Sequence, residues 1–294
     1  MSISTLSVVI PAYNEEAAIQ ECLDRIFEQI DHIDEVIVVD NNSTDATAAI
    51  VAAAQHREPK VRLVKEVAQG CAPARSTGMN SATGDIVARI DVDTKINEDW
   101  AANIKSFFSR HSDRYAAATG TCTCYDLPFQ GLFASLQRKM NAKNEAKLER
   151  GESIAAPGLF GSNMAILKTA WEEIKSALHD GEDVHEDTDL SLTLQSEGLS
   201  CAMVPGMEAS ISGRRYLSPV GSYWRYVLRG PRTLTLHGKR LSAALGTFAV
   251  AATAMPFYLL MWVPFRAWDP ERESFSLGRL FAGAERRPQP RAHV

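Results

Sequence analysis

The sequence predicts an α/β fold built on a mostly parallel central sheet with helices on its faces. Three observations carry that expectation. Strand-like runs at 6–10, 35–40, 61–66 and 86–91 alternate with segments of helical periodicity, and the first is a compact apolar run of the length of a buried strand. Strand–helix–strand order calls for right-handed crossovers, which lay successive strands parallel. Polar residues then gather where these strands end: Tyr13 and Asn14, Asp40 to Ser43, and Asp91 with Asp93. An open parallel sheet binds its ligands outside the carboxyl ends of its strands.

The first strand is "LSVVI" (6–10). The leading "MSISTLSVVIPAYN" has no basic region before its short apolar run, so it reads as a strand and not as a signal peptide. Ile19, Leu23, Ile26, Phe27 and Ile30 then recur at helical spacing, with Asn14 as the expected N-cap. "EVIVVD" (35–40) is the second strand, and Ser43 or Thr44 is expected to cap the Ala-rich helix behind it. "VRLVKE" (61–66) is the third. "GCAPARSTGMNSATGD" (70–85) reads as a loop, a short helix and a glycine turn, and "IVARID" (86–91) as the fourth strand. Residues 186–196 read as a helix with Leu190 and Leu194 turned inward.

At 294 residues, 45% of them hydrophobic and 23% charged, the chain is long enough for a full globular core. A net charge of -5 argues against a general nucleic-acid binder, whose affinity rests on basic surface. The five cysteines form no pair of CxxC motifs, which disfavours a zinc site or a disulfide framework and fits a reducing, intracellular setting. Cys122 and Cys124 read as ordinary strand residues.

Asp91 and Asp93 raise a specific electrostatic question. In an extended chain, residues two apart point to the same side. Two carboxylates so placed repel unless a cation or a protein donor offsets them. No GxGxxG follows the first strand, and no GxxxxGK[ST] occurs anywhere, so dinucleotide and P-loop sites are disfavoured. Carboxylates at a strand end without His or Cys nearby favour a hard divalent cation, Mg²⁺ or Mn²⁺, which uses one or two carboxylates together with substrate phosphates. Spacing thus reaches a metal-bound phosphorylated ligand, and a nucleotide fits it best.

Five motifs extend the reading. "VVIPAYNEE" (8–16), "VVDNNSTD" (38–45), the "G…ARSTG…ATGD" run (70–85), "IDVD" (90–93) and "HEDTDLSLTLQSEG" (185–198) occur in this order. Over roughly residues 5 to 215 the chain closely resembles family 2 glycosyltransferases of the GT-A fold. The resemblance implies a Rossmann-like sheet flanked by helices, a nucleotide-sugar donor and metal-assisted transfer. By that resemblance Pro11, Ala12 and Tyr13 pack on the nucleobase, Glu15 and Asp40 contact base or ribose, and Arg75 contacts the nucleotide. Asp91 and Asp93 correspond to the DxD motif, Asp91 nearer the ribose and Asp93 on the bridging cation. Asp187, in the Glu186–Asp187 pair, corresponds to the general base that deprotonates the acceptor hydroxyl for inverting attack. Such a base must stand opposite the leaving group, so it should come from a different segment than the metal site. Asp189 is expected to be structural, and His185 a loop residue. "GLFGSNMAILKTAW" (158–171) resembles an acceptor-side loop, in which Gly161, Ser162 and Asn163 either approach the acceptor or form a plain turn. "SGRRYLS" (212–218) departs from the QxxRW signature of processive synthases, so a single addition is expected. Arg214 or Arg215 either holds the diphosphate or lies on the surface.

These expectations divide the chain into a GT-A unit over 1–230, with a nucleotide-sugar half to about 95 and an acceptor-side half beyond, and a C-terminal segment over 231–294. That segment contains 23 uncharged positions, 243–265, enough to cross a bilayer. Lys239 and Arg240 precede it, and Arg266, Arg272, Arg279, Arg286, Arg287 and Arg291 follow. Basic flanks on both sides favour a hairpin, re-entrant or interfacial segment over a simple span; a helix docked on the domain is the alternative. Membrane association at the cytoplasmic face is expected, with a carbohydrate or lipid-linked acceptor and, by family frequency, a UDP-sugar donor. The final "ERRPQPRAHV" reads as a disordered tail. Two other functions compete. A sugar-1-phosphate nucleotidyltransferase would carry a basic Gly-rich loop where this chain has "PAYNEE". A non-catalytic nucleotide-sugar-binding membrane protein would need neither Asp93 nor Asp187.

Overall fold

The computed structural model describes residues 3–179, 181 and 183–280; the expected tail lies outside them. The chain runs through β1 (Leu6–Ala12), α1 (Ile19–Phe27), β2 (Glu35–Asp40), α2 (Thr47–Arg57), β3 (Val61–Lys65), α3 (Cys71–Ser81) and β4 (Ile86–Ile90). Next come β5 (Lys95–Ile96), α4 (Trp100–His111), β6 (Ala117–Thr119), β7 (Cys122–Cys124), α5 (Gln130–Glu149) and β8 (Asn163–Leu167). Then follow α6 (Lys168–Ile174), α7 (Glu186–Ser196), β9 (Cys201–Met203), β10 (Ala209–Ile211), α8 (Val220–Val227) and α9 (Arg229–Leu236).

Seven strands form one sheet in the order β3-β2-β1-β4-β8-β6-β9. β8 is antiparallel to both its neighbours and every other pairing is parallel. β5, β10 and β7 make a smaller second sheet. β2 and β4 are buried along their whole length, as strands are when helices cover both faces of the sheet. α3 lies directly on the sheet: a Cβ at Gly78 would collide with Val9 Cγ1 and come within 3.0 Å of Val39 Cγ2. The chain moves outward from β1 to β2 to β3, then returns to place β4 on the other side of β1. Loops after β1 and β4 therefore diverge and leave a crevice between them, the switch point at which such sheets bind ligands.

Two expected caps are corrected. α1 begins at Ile19, away from Asn14. Asn14 instead takes a left-handed backbone (φ 51), and its Oδ1 accepts from the Thr44 amide at 2.7 Å. α2 begins at Thr47, beyond the reach of Ser43 or Thr44 as caps. Carboxylates serve its orphan amides: Asp45 Oδ1 accepts from Thr47 N at 3.0 Å and Glu16 Oε2 from Ala46 N at 2.9 Å. The loops after β1 and β2 are thereby tied to one another.

The C-terminal apolar run forms one helix, Arg240–Ala267, of 28 residues, largely exposed but with Ala243, Tyr258, Phe265 and Ala267 buried. It comprises α10 (Arg240–Ala249), a π-helical turn Val250–Ala254, α11 (Met255–Leu260) and α12 (Trp262–Ala267), and β11 (Trp268–Asp269) and β12 (Ser274–Phe275) pair behind it. Of the expected hairpin, re-entrant or interfacial forms, this continuous helix rules out the hairpin. Pro256 removes one intrahelical donor, and the wider turn just before it absorbs the defect. Length and composition suffice for it to cross a membrane.

Candidate active site

The crevice is built first from β1 and β4. Pro11 and Ala12 end β1 beside Val39 and Asp40 of β2. Asp40 is buried, and its Oδ1 accepts from Ser43 N at 3.2 Å, which turns the loop after β2 back toward β1. Glu15 is also buried, its amide donating to Thr47 Oγ1 at 2.8 Å.

Beyond β4 the chain does not stay extended. Thr94 N donates to Asp91 O at 2.9 Å, closing a turn over 91–94. The extended-chain picture of Asp91 and Asp93 side by side is therefore corrected: the turn splits them between two arginines. Arg75 Nη2 stands 2.9 Å from Asp91 Oδ1. Arg214 Nε stands 3.1 Å from Asp93 Oδ2, and its Nη1 is 3.1 Å from Glu15 Oε1. Arg214 thus joins the loops after β1 and β4. Arg215 turns away and stacks over the Tyr226 ring at 4.3 Å.

The second half comes from the first turn of α7. Glu186 Oε2 accepts from Arg75 Nη1 at 2.7 Å, and Glu186 Oε1 from Arg89 Nη1 at 2.7 Å. Asp187 Oδ1 accepts from Arg89 Nη2 at 2.6 Å and lies 3.9 Å from Arg75 Nη1. Burial pushes the Asp187 carboxyl up, but the Arg89 and Arg75 charges outweigh it and hold the group below its ordinary value. Burial likewise pulls Arg75 down, yet Glu186 and Asp91 raise it well above the usual arginine value. Arg75 therefore touches both the turn after β4 and the head of α7.

Arg89 is the residue the motif reading missed. It sits on β4, only 2% exposed, and its Nε also donates to Gly161 O at 2.9 Å. An arginine inside a buried strand must find carboxylates, because an unpaired interior charge costs several kcal/mol. The signal was present in "IVARID", where one cation interrupts a wholly apolar run. Gly161 is required here, since a Cβ would collide with Asp187 Oδ1 and Arg89 Nη2.

Asn163 is corrected from an acceptor-loop candidate to a core residue. It is fully buried, donating to Met207 O at 2.8 Å and accepting from Trp100 Nε1 at 2.8 Å. Asp189 is buried as expected of a structural carboxylate. Its Oδ1 meets both His179 Nδ1 and His237 Nε2 at 2.7 Å, and its Oδ2 accepts from His179 N at 2.8 Å. His185 donates its amide to Thr233 Oγ1 at 2.8 Å. Together these contacts fasten α7 to α9. Cys122 and Cys124 lie on β7, their thiols pushed by burial to about 12 and about 11, which leaves them unreactive.

A parallel sheet with one reversed strand and acidic loops at its switch point is a GT-A fold. Comparison with solved structures agrees. A mannosyltransferase from Pyrobaculum calidifontis, solved with GDP-Man and Mn²⁺, superposes with a TM-score of 0.56 at 24% identity, over 94% of this chain and 77% of that one. The model of glycosyl transferase family 2 matches residues 7–174, and the chain belongs to that family. Among curated relatives, glycosyltransferase GlyA of Streptococcus pneumoniae is 30% identical over 99 residues, 34% of this chain and 14% of its own length. An undecaprenyl-phosphate 4-deoxy-4-formamido-L-arabinose transferase of Pseudomonas fluorescens is 36% identical over 96 residues, 31% of this chain and 28% of its own length. The matched stretch is thus under a third of either relative.

Proposed function

We propose that this chain moves a sugar from a nucleoside-diphosphate donor to an acceptor hydroxyl, inverting the anomeric centre, one sugar per encounter. The observation that carries the reading is Arg75, which draws Asp91 and Glu186 onto one guanidinium across 111 residues of chain. Donor-side and acceptor-side motifs then share one crevice.

The residues fit a divalent cation. Arg75, Arg89 and Arg214 face five carboxylates, Glu15, Asp91, Asp93, Glu186 and Asp187, an excess of two negative charges. The donors are hard oxygens, suited to Mg²⁺ or Mn²⁺, and Asp93 with Asp91 would hold the ion. When bound, the cation offsets negative charge on the leaving diphosphate as a Lewis acid. Pro11, Ala12 and Tyr13 form the base-stacking edge, Glu15 and Asp40 contact base or ribose, and Asp91 lies toward the ribose. Arg75 and Arg214 supply fixed positive charge for the nucleotide. Asp187, kept ionised by Arg89, accepts the acceptor proton, and Glu186 holds both arginines in register.

Residues 1–230 serve as the catalytic unit and 231–294 as the attachment to the cytoplasmic face of a membrane. The exposed apolar helix and the undecaprenyl-phosphate transferase among the relatives support a lipid-linked acceptor over a free carbohydrate. A UDP-sugar is the first donor to try, and the GDP-Man bound to the Pyrobaculum neighbour makes GDP-sugars the second. Purified full-length protein should release free nucleoside diphosphate from one nucleotide sugar, given Mn²⁺ and a lipid-linked acceptor. Pyrophosphate release from a nucleoside triphosphate and a sugar 1-phosphate would mark a nucleotidyltransferase instead, and binding without turnover a non-catalytic protein.

A further inference from the structure

α5 buries amides rather than apolar side chains at its centre. Its buried residues are Asn141 and Asn144. Asn141 donates to Glu208 Oε1, Asn144 Nδ2 lies 3.3 Å from Met203 O, and Gln137 Nε2 lies 2.7 Å from Thr121 Oγ1. Phe133 and Leu148 are half-buried, Leu148 against the core, but the other large apolar side chains face outward. Phe129 at the N-cap, Leu132, Leu136 and Met140 are 49%, 62%, 54% and 42% exposed. Steps of three and four residues place them in one line along the helix. The same line continues through Lys143 and Lys147, with Lys139 beside it.

A helix that buries Asn141 and Asn144 while Leu132, Leu136 and Met140 stand exposed is not arranged for water. An apolar stripe ending in lysines is arranged for an interface between hydrocarbon and anionic headgroups. Its position agrees. The Phe129 ring lies 6.4 Å from that of Phe275, which stands 5.1 Å from Trp268, the residue directly after the apolar helix Arg240–Ala267. Phe275 and Leu277 are themselves 57% and 75% exposed, so the two apolar surfaces meet.

We infer that α5 is a second membrane-contacting element, its Phe129–Met140 stripe seated in an anionic leaflet and Lys139, Lys143 and Lys147 among the headgroups. The inference rests on the membrane reading of the Arg240–Ala267 helix and adds a tether on the catalytic unit itself. Two points of contact would fix the orientation of the crevice to the bilayer, where a single helix would leave it free to turn.

Photo-crosslinking from the full chain separates the two elements. Benzoylphenylalanine is placed in turn at Leu136, at Leu260 of the apolar helix, and at Glu145, half a turn from the stripe. Each protein is reconstituted in vesicles of equal parts phosphatidylcholine and phosphatidylglycerol. Lipid adducts are expected from positions 136 and 260 and not from 145. Charge reversal at Lys139→Glu, Lys143→Glu and Lys147→Glu, with an unchanged circular dichroism spectrum, should lower the yield at 136 several-fold and leave 260 as it was. An adduct at 260 without one at 136 overturns the role of α5 while sparing the apolar helix. Adducts between protein copies at 136 overturn it in favour of a dimer face. No lipid adduct at either position removes both.

Discussion

Arg89 Nη2 lies 2.6 Å from Asp187 Oδ1, and the arginine is buried while the aspartate side chain keeps 22% exposure. The pair therefore has one anchored partner and one that reaches the crevice. An anchored cation beside a carboxylate keeps it ionised and fixes where it points.

Asp187→Asn should retain nucleotide and metal binding but lose roughly 10²- to 10⁴-fold in turnover, the usual contribution of a positioned general base. Stability should fall as well, by about 2 kcal/mol, since a hydrogen bond to a buried charge is lost. Arg89 still holds Glu186 and Gly161 O, which limits the damage. Steady-state kinetics with donor titration decide the matter: equal losses of binding and rate would exclude the base role.

Arg89→Met should move the acid limb of the pH–rate profile upward. Asp187 is held below its ordinary value by Arg89 and Arg75 against the opposing effect of burial, so removing Arg89 lets its pKa rise. The wild-type chain, by contrast, should keep its base ionised until the pH falls below the ordinary aspartate range. The stability contributed by this ionised carboxylate is likewise present at neutral pH and lost only in acid. A profile unmoved by the substitution would separate Asp187 from the ionisation that governs rate.

Asp93→Ala should abolish metal-dependent donor binding, while Asp91→Ala should weaken donor binding with a smaller loss of metal response. The two residues pair with different arginines, so neither substitution empties both clusters. Thermal shift with nucleotide sugar, with and without Mn²⁺, reads both effects through ligand linkage. Full activity of Asp93→Ala at low Mn²⁺ would remove it from the metal site.

Gly161→Ala should cut turnover more than it cuts stability. The added methyl meets Asp187 Oδ1 and Arg89 Nη2, so it displaces the carboxylate proposed as the base. Overpacking of this kind costs about 1–3 kcal/mol. Melting temperature and kcat measured together test the prediction, which fails if both stay at the wild-type level.

Deleting residues 241–294 should move the protein from the membrane fraction toward the soluble one, at a cost in stability. The deletion removes Tyr258, whose ring stacks on Tyr223 at 4.2 Å and whose hydroxyl donates to Ser218 O at 2.5 Å. It also removes Arg266, which donates to Leu217 O at 2.9 Å. Tyr223→Ala in the full chain should reproduce part of the loss in melting temperature without changing the fraction in which the protein is found.

Much of this protein was legible in the sequence because the signals are local. Buried strands read as short runs rich in Val and Ile in β1, β2 and β4, and α7 as a periodic leucine pattern, since backbone geometry repeats every two or 3.6 residues. Turn and strand-end motifs were likewise readable, as they are contiguous. What only the tertiary structure decided is which charge meets which. Arg89 finds Glu186 and Asp187 across 97 and 98 residues, and Asp91 and Asp93 are parted by a turn that spacing alone did not foretell. Asn163, which the sequence leaves open between an acceptor contact and a plain turn, is held in the core by Trp100 and Met207. Ion pairs and buried amides carry no periodic trace in the chain. Their partners are chosen when β4, α3 and α7 converge at the switch point, and that convergence is a property of the packed sheet.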